Sequence, residues 1–138
     1  MLRGLTTVAY QADDLAAARR WYSEFLGTEP YFNRPEYIEF RIGDYQHEFG
    51  ILDGKLREAR GLTATPGGPA GTVTYWHVDD IEATLQRLLA MGARQLQAPR
   101  DFGEGFIGAT GLDPFGNVIG LMYNPHYLAV LHGEAERQ

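Results

Sequence analysis

The sequence predicts an α+β protein of two tandem βαβββ modules, and three observations carry that prediction. First, TTVAYQADDLAAARRWYSEFLG (Thr6 to Gly27) and TVTYWHVDDIEATLQRLLAMG (Thr72 to Gly92) follow one plan: a short β-rich run, an Asp-Asp pair, an amphipathic stretch and a glycine. Second, strand-like runs follow each of these segments. Third, a Gly- and Pro-rich stretch, KLREARGLTATPGGPAG, separates them. The expected organisation is one domain over 1–138, with a first module at 4–54, a linker at 55–70, a second module at 71–125 and a tail at 126–138.

Taken in order, each opening run leads to an aspartate that suits a helix N-cap, where it accepts an orphan backbone N–H at the positive end of the helix dipole. In the first helix Leu15, Ala18, Tyr22, Phe25 and Leu26 recur every three or four residues and form one buried stripe; Ile81, Leu85, Leu88 and Leu89 do so in the second. Gly27 and Gly92 stand where C-terminal caps belong. EYIEFRIG then alternates Ile38, Phe40 and Ile42 with Tyr37, Glu39 and Arg41, and HEFGILDG follows a Gly43-Asp44 turn. In the second half RQLQAP, GFIGATGLD and NVIGLMYN read as strands, the last two joined by a turn over Pro114 to Asn117. Trp21, Tyr22, Phe25 and Trp76 read as core, YLAVLH in the tail as a short helix, and His126 and His132 as surface residues.

Composition excludes several functions. The 138 residues include no cysteine, which removes disulfides, thiolate metal sites and thiol nucleophiles and fits a cytoplasmic location. The net charge of −6 and a single lysine, Lys55, oppose nucleic-acid and anionic-membrane binding. No apolar run approaches the roughly 20 residues of a membrane span. GEGFIG has neither the lysine nor the following helix of a phosphate loop.

DDLAAARRWYSEFLG, VDDIEATLQRLLAMGA and DPFGNVIGL, with the paired βαβββ plan, resemble the vicinal oxygen chelate superfamily: glyoxalase I, bleomycin-resistance proteins and extradiol dioxygenases. The resemblance implies a curved mixed sheet around a concave pocket, frequently a homodimer, and a divalent metal held on the first and last strands of each module. Carried over by position, those ligand places fall on Thr7, Gly50, Val73 and Gly120. Two glycines and a valine have no side-chain donor and threonine is a weak one, so no cofactor is expected there.

Residues two apart on a strand share a face, so the resemblance also implies a pocket lined by Gln11, Tyr37, Glu39, Arg41, Glu48, Tyr75, His77 and Met122, with the glycines deepening it. Glu48, His77 and Tyr75 are the candidates for acid–base chemistry, and Arg41 suits a planar anion on a ligand. The favoured reading is a protein that binds a small amphipathic or aromatic molecule without metal. The alternative is a lyase, isomerase or dioxygenase-like enzyme that uses a non-standard divalent-metal site or metal-free acid–base catalysis.

Overall fold

In each repeat an aspartate opens the helix. The computed structural model describes residues 1, 3, 5–56 and 73–134. It places strand β1 at Thr7–Ala12 and helix α1 at Leu15–Leu26. The second residue of the Asp-Asp pair is the cap: Asp14 is extended, and its carboxylate accepts the Ala17 N–H at 3.0 Å. Gly27 closes the helix at φ 70°, a left-handed conformation that costs a glycine little.

Strands β2 (Phe32–Arg34), β3 (Tyr37–Ile42) and β4 (His47–Asp53) complete a sheet of order β1-β4-β3-β2. β1 runs parallel to β4, and the other pairs are antiparallel. The sequence pattern does not mark β2, because three residues are too few for alternation to show. The alternating set Ile38, Phe40, Phe49 and Ile51 is buried, as are Tyr10 on β1 and Ala18 and Tyr22 on α1. Tyr10 meets Phe49 edge-on at 4.9 Å between ring centroids, and Tyr22 lies 5.1 Å from Phe49.

The chain divides into two compact units, Met1–Ala70 with Phe115–Asn117, and Gly71–Pro114 with Val118–Gln138. Within the first, Phe115 packs edge-on to Trp21 at 6.2 Å. The Asn117 side-chain amide pairs with the backbone of Gln11, accepting its N–H at 3.1 Å and donating to its carbonyl at 2.8 Å.

In the second unit β5 (Thr74–His77), α2 (Ile81–Ala90), β6 (Arg94–Gly103), β7 (Phe106–Leu112) and β8 (Val118–Tyr123) repeat the connectivity, with sheet order β5-β8-β7-β6. Asp80 caps α2 by accepting the Ala83 N–H at 3.0 Å. Met91, rather than Gly92, is the C-cap, and Gly92 takes the left-handed position after it at φ 95°. β6 continues past Pro99, where the sequence reading ends it. It is an edge strand whose register shifts between Gln97 and Arg100, and an edge or a bulge is where a residue without an N–H can sit in a strand. Ile81, Leu85, Leu88, Ala109, Ile119 and Leu121 form this unit's core.

The tail begins with helix α3 (Pro125–Leu131), capped by Asn124, and none of its residues is fully buried. Of the expected linker, Lys55 and Leu56 lie in a 3-10 turn, and 57–70 fall outside the described residues. Among the described residues no helix is long and apolar enough to cross a membrane.

Candidate functional site

The register of the first sheet lines up three rows of side chains on the face that its apolar alternation leaves free. Thr7 pairs with Glu48 and Glu48 with Arg41; Ala9 with Gly50, Gly50 with Glu39, and Glu39 with Phe32; Gln11 with Leu52, Leu52 with Tyr37, and Tyr37 with Arg34. Tyr37, Glu39, Arg41 and Glu48, four of the residues singled out from sequence, therefore gather on one surface.

Glu39 is the centre of this group. It is buried at 8% exposure, and both of its carboxylate oxygens accept phenol protons: Oε1 from Tyr37 at 2.6 Å, and Oε2 from Tyr31 through a short contact. The Tyr31 hydroxyl also lies 3.1 Å from Glu48 Oε2, and Thr7 donates to Glu48 Oε1 at 3.4 Å. A phenol has one proton, so Tyr31 serves one of its two carboxylates at a time. The Arg41 guanidinium lies 4.2 Å over the Tyr31 ring, and among the described residues it makes no salt bridge. Arg34 stacks in the same way over Phe32 at 4.5 Å.

These contacts set the protonation states. The bond to Glu39 keeps the proton on Tyr31, with desolvation and Glu48 adding to it, and its pKa is pushed up to about 12. Burial, followed by the bond to Glu39, pushes Tyr37 up as well. Burial alone would raise Glu39, but the Tyr31 and Tyr37 donors and the Arg41 charge outweigh it and hold the carboxyl below its ordinary value. Near neutral pH the cluster is thus a carboxylate gripped by two neutral phenols.

Tyr31 is the member of this cluster that the sequence reading misses. It sits in TEPYFNRPEY, before β2, where no periodicity assigns it a face. Its backbone N–H donates to the Glu39 carbonyl at 3.1 Å, and that tertiary contact aims its ring.

The remaining predicted residues are placed differently. Gln11 lies at the end of β1, with its backbone bonded to Asn117. Tyr75, His77 and Met122 belong to the second unit, where Tyr75 pairs with Gly120 and His77 with Met122. The hydrogen bonds of Glu48 go to Thr7 and Tyr31, and those of His77 to Asp79 and Asn124.

The glycines do not deepen a cleft as the sequence reading expects, because a tyrosine already covers each. A Cβ on Gly50 would fall inside the phenol of Tyr37. A Cβ on Gly120 would meet the Thr74 carbonyl oxygen and Tyr75 Cδ1, each at 2.7 Å. Among the described residues no three His, Cys, Asp or Glu side chains converge in a way that could hold a metal ion. A depression of about 660 Å³ along α1, lined by Ala16, Arg19, Ser23 and Thr28 among others, carries the exposed Arg19–Glu29 pair at 3.5 Å and a Ser23 hydroxyl that donates to Glu29 at 3.4 Å. It lacks the buried, converging groups of the sheet face.

The fold has many relatives of known structure. A glyoxalase-related enzyme from Fulvimarina pelagi superposes with a TM-score of 0.71 at 24% identity, over 90% of each chain. A glyoxalase/bleomycin resistance protein/dioxygenase family enzyme from Burkholderia phytofirmans PsJN gives 0.68 at 19% identity, over 85% of this chain and 95% of that one. Lactoylglutathione lyase from Agrobacterium tumefaciens gives 0.65 at 21%, over 88% and 93%. No protein of curated function matches the chain. The model of the glyoxalase/bleomycin resistance protein/dioxygenase superfamily matches residues 4–121, and with the two βαβββ units and their repeated sheet order this makes the chain a member of that superfamily.

Proposed function

We propose that this superfamily member binds a small amphipathic or aromatic molecule against the polar face of its first sheet. Tyr31, Tyr37, Glu39, Arg41 and Glu48 are the contact set, and the superfamily's metal chelate takes no part. One observation carries the reading: a buried carboxylate fixed by two phenols stands beside a guanidinium that is stacked on an aromatic ring and, among the described residues, makes no salt bridge. Burying Glu39 is unfavourable unless its bonds are satisfied, and such preorganised polar groups with aromatic walls are how small-molecule sites orient a ligand. Arg41 has guanidinium donors left for a ligand's oxygen atoms, and Tyr31 and Phe32 supply ring surface.

The donor set does not fit the superfamily's divalent ion. Tyr37 and Tyr75 fill the space in which a ligand side chain on Gly50 or Gly120 would stand. Thr7, the one candidate place with an oxygen, donates its proton to Glu48. On this reading the protein works as a homodimer in the cytoplasm, a compartment that its lack of cysteine suits.

Native mass spectrometry of untagged protein, purified without added metal or chelator, tests this. The expected spectrum is a metal-free dimer that carries an organic adduct, and Arg41→Ala and Glu39→Gln lose the adduct while keeping the dimer mass. One divalent ion per subunit would overturn the reading and move the protein to the metal-dependent enzymes of its superfamily. Adduct retained in both variants would overturn the placement of the site.

A further inference from the structure

The His77 side chain is 9% exposed, and its hydrogen bonds go to the cap residue of one short helix and to one aspartate. Its Nδ1 lies 3.1 Å from the backbone nitrogen of Asn124, and its Nε2 lies 3.2 Å from Asp79 Oδ1. The ring stacks on Tyr127 of α3 at 4.8 Å and 11°, and leans on Tyr123 of β8 at 5.5 Å. Asn124 in turn caps α3, accepting the Tyr127 N–H at 3.0 Å. One imidazole thus holds both the backbone entry and the first aromatic residue of a helix that has no buried residue of its own.

The geometry fixes the tautomer. A backbone N–H can only donate, so Nδ1 must present its lone pair, and the proton of the neutral ring sits on Nε2 and is donated to Asp79. A second proton would go onto Nδ1, where it would face the Asn124 N–H and turn a hydrogen bond into a clash of two donors.

The groups facing His77 divide by what survives when α3 leaves. Asp79 favours the imidazolium, but it is two residues away on the same strand end and 92% exposed. It is screened by water, and it stays beside the ring whether α3 is docked or not. Tyr123 on β8 also stays. Tyr127 favours a cation through its ring face and leaves with the helix. Against that single contribution, docking of the charged form loses the Asn124 bond and keeps the charge out of water.

We propose that α3 is a strap over the β5–β8 end of the second sheet, closed by neutral His77 and released when His77 takes a second proton. Release uncovers the imidazole and the Met122 side chain, whose sulfur lies 3.5 Å from Asn124 Nδ2. His77, Asp79, Tyr123, Asn124 and Tyr127 all belong to the second unit.

The test uses the full chain, labelled with 15N. At about pH 7.5 the His77 ring should show an unprotonated Nδ1, and on lowering to about pH 5 the amides of 127–131 should lose protection about tenfold more than those of β7 and β8. The side-chain oxygen of asparagine can stand in for Nδ1 as an acceptor that does not titrate in this range. His77→Asn should therefore abolish the pH dependence, and His77→Phe should leave α3 unprotected at both pH values. A protonated Nδ1 at the higher pH, or equal protection at both, would overturn the strap. So would a pH dependence that persists in His77→Asn, because it would assign the release to another group such as His126 or His132.

Discussion

Tyr31 has one proton to give and two carboxylates within reach, and the consequences can be measured at that residue. Its pKa is pushed up to about 12, chiefly by the bond to Glu39. A group with a raised folded pKa stabilises the fold fully below its unfolded value, here 10.0, and that contribution is lost as pH rises towards 12. Alkaline absorbance titration should find Tyr31 and Tyr37 ionising after an ordinary tyrosine, and Glu39→Gln should bring Tyr31 back towards 10.0. Titration of Tyr31 near 10.0 in the unmodified protein would contradict the cluster.

The two glycines make a second prediction at this scale. In Gly50→Ala the new methyl meets the far end of Tyr37, a side chain able to swing at the expense of its bond to Glu39. In Gly120→Ala it meets the Thr74 backbone, which cannot. Urea denaturation should show both variants destabilised by about 1–3 kcal/mol, with Gly120→Ala the worse. Adding Tyr37→Ala should relieve the strain at Gly50, whereas Tyr75→Ala should leave Gly120→Ala strained.

Among the elements, the helices were the most legible, because capping and periodicity are local. Asp14 and Asp80 cap where the Asp-Asp pairs predict, and the α1 and α2 stripes supply Ala18, Tyr22, Ile81, Leu85 and Leu88 to the two cores. β3 and β4 were equally plain from alternation. β2 and the far half of β6 were not, since the first has three residues and the second carries a proline and exposed side chains whose pairing is set by β7. The sequence marks DPFGN as a turn and as part of a family motif but not as a contact, yet its Asn117 supplies a two-bond pairing to the backbone of β1. Asn117→Ala should cost about 1–3 kcal/mol, because it leaves the part-buried backbone N–H and carbonyl of Gln11 without that partner. Asn117→Asp should not restore the loss, since it keeps the acceptor and removes the donor. Thermal unfolding of the two variants checks both statements.

At the scale of the whole molecule the acid limb of stability carries the signature of Glu39. Its folded pKa lies below the ordinary 4.5, so its contribution is present above that value and disappears as pH falls through the lower folded value. Tyr31→Phe removes one of the two phenol donors and should move the acid unfolding transition to higher pH. Glu39→Gln should flatten that part of the curve, and an unchanged acid midpoint in both variants would contradict the assignment. Structures at 24% identity or less share this fold with TM-scores of 0.65 to 0.71, so the architecture persists while most side chains change.

The sequence by itself determined the two βαβββ units, their helix caps and most of the strand faces, because hydrogen-bond capping and the periods of helix and strand act between near neighbours. It also set Tyr37, Glu39, Arg41 and Glu48 on one face, since parity follows each strand. Only the tertiary structure decided that Tyr31 joins them, that tyrosines cover Gly50 and Gly120, and that His77 is bound to Asn124 and Tyr127. Each of these is a contact between segments whose separation in the chain has no period to betray it. The register that brings them together is a property of the folded sheets and not of any one strand.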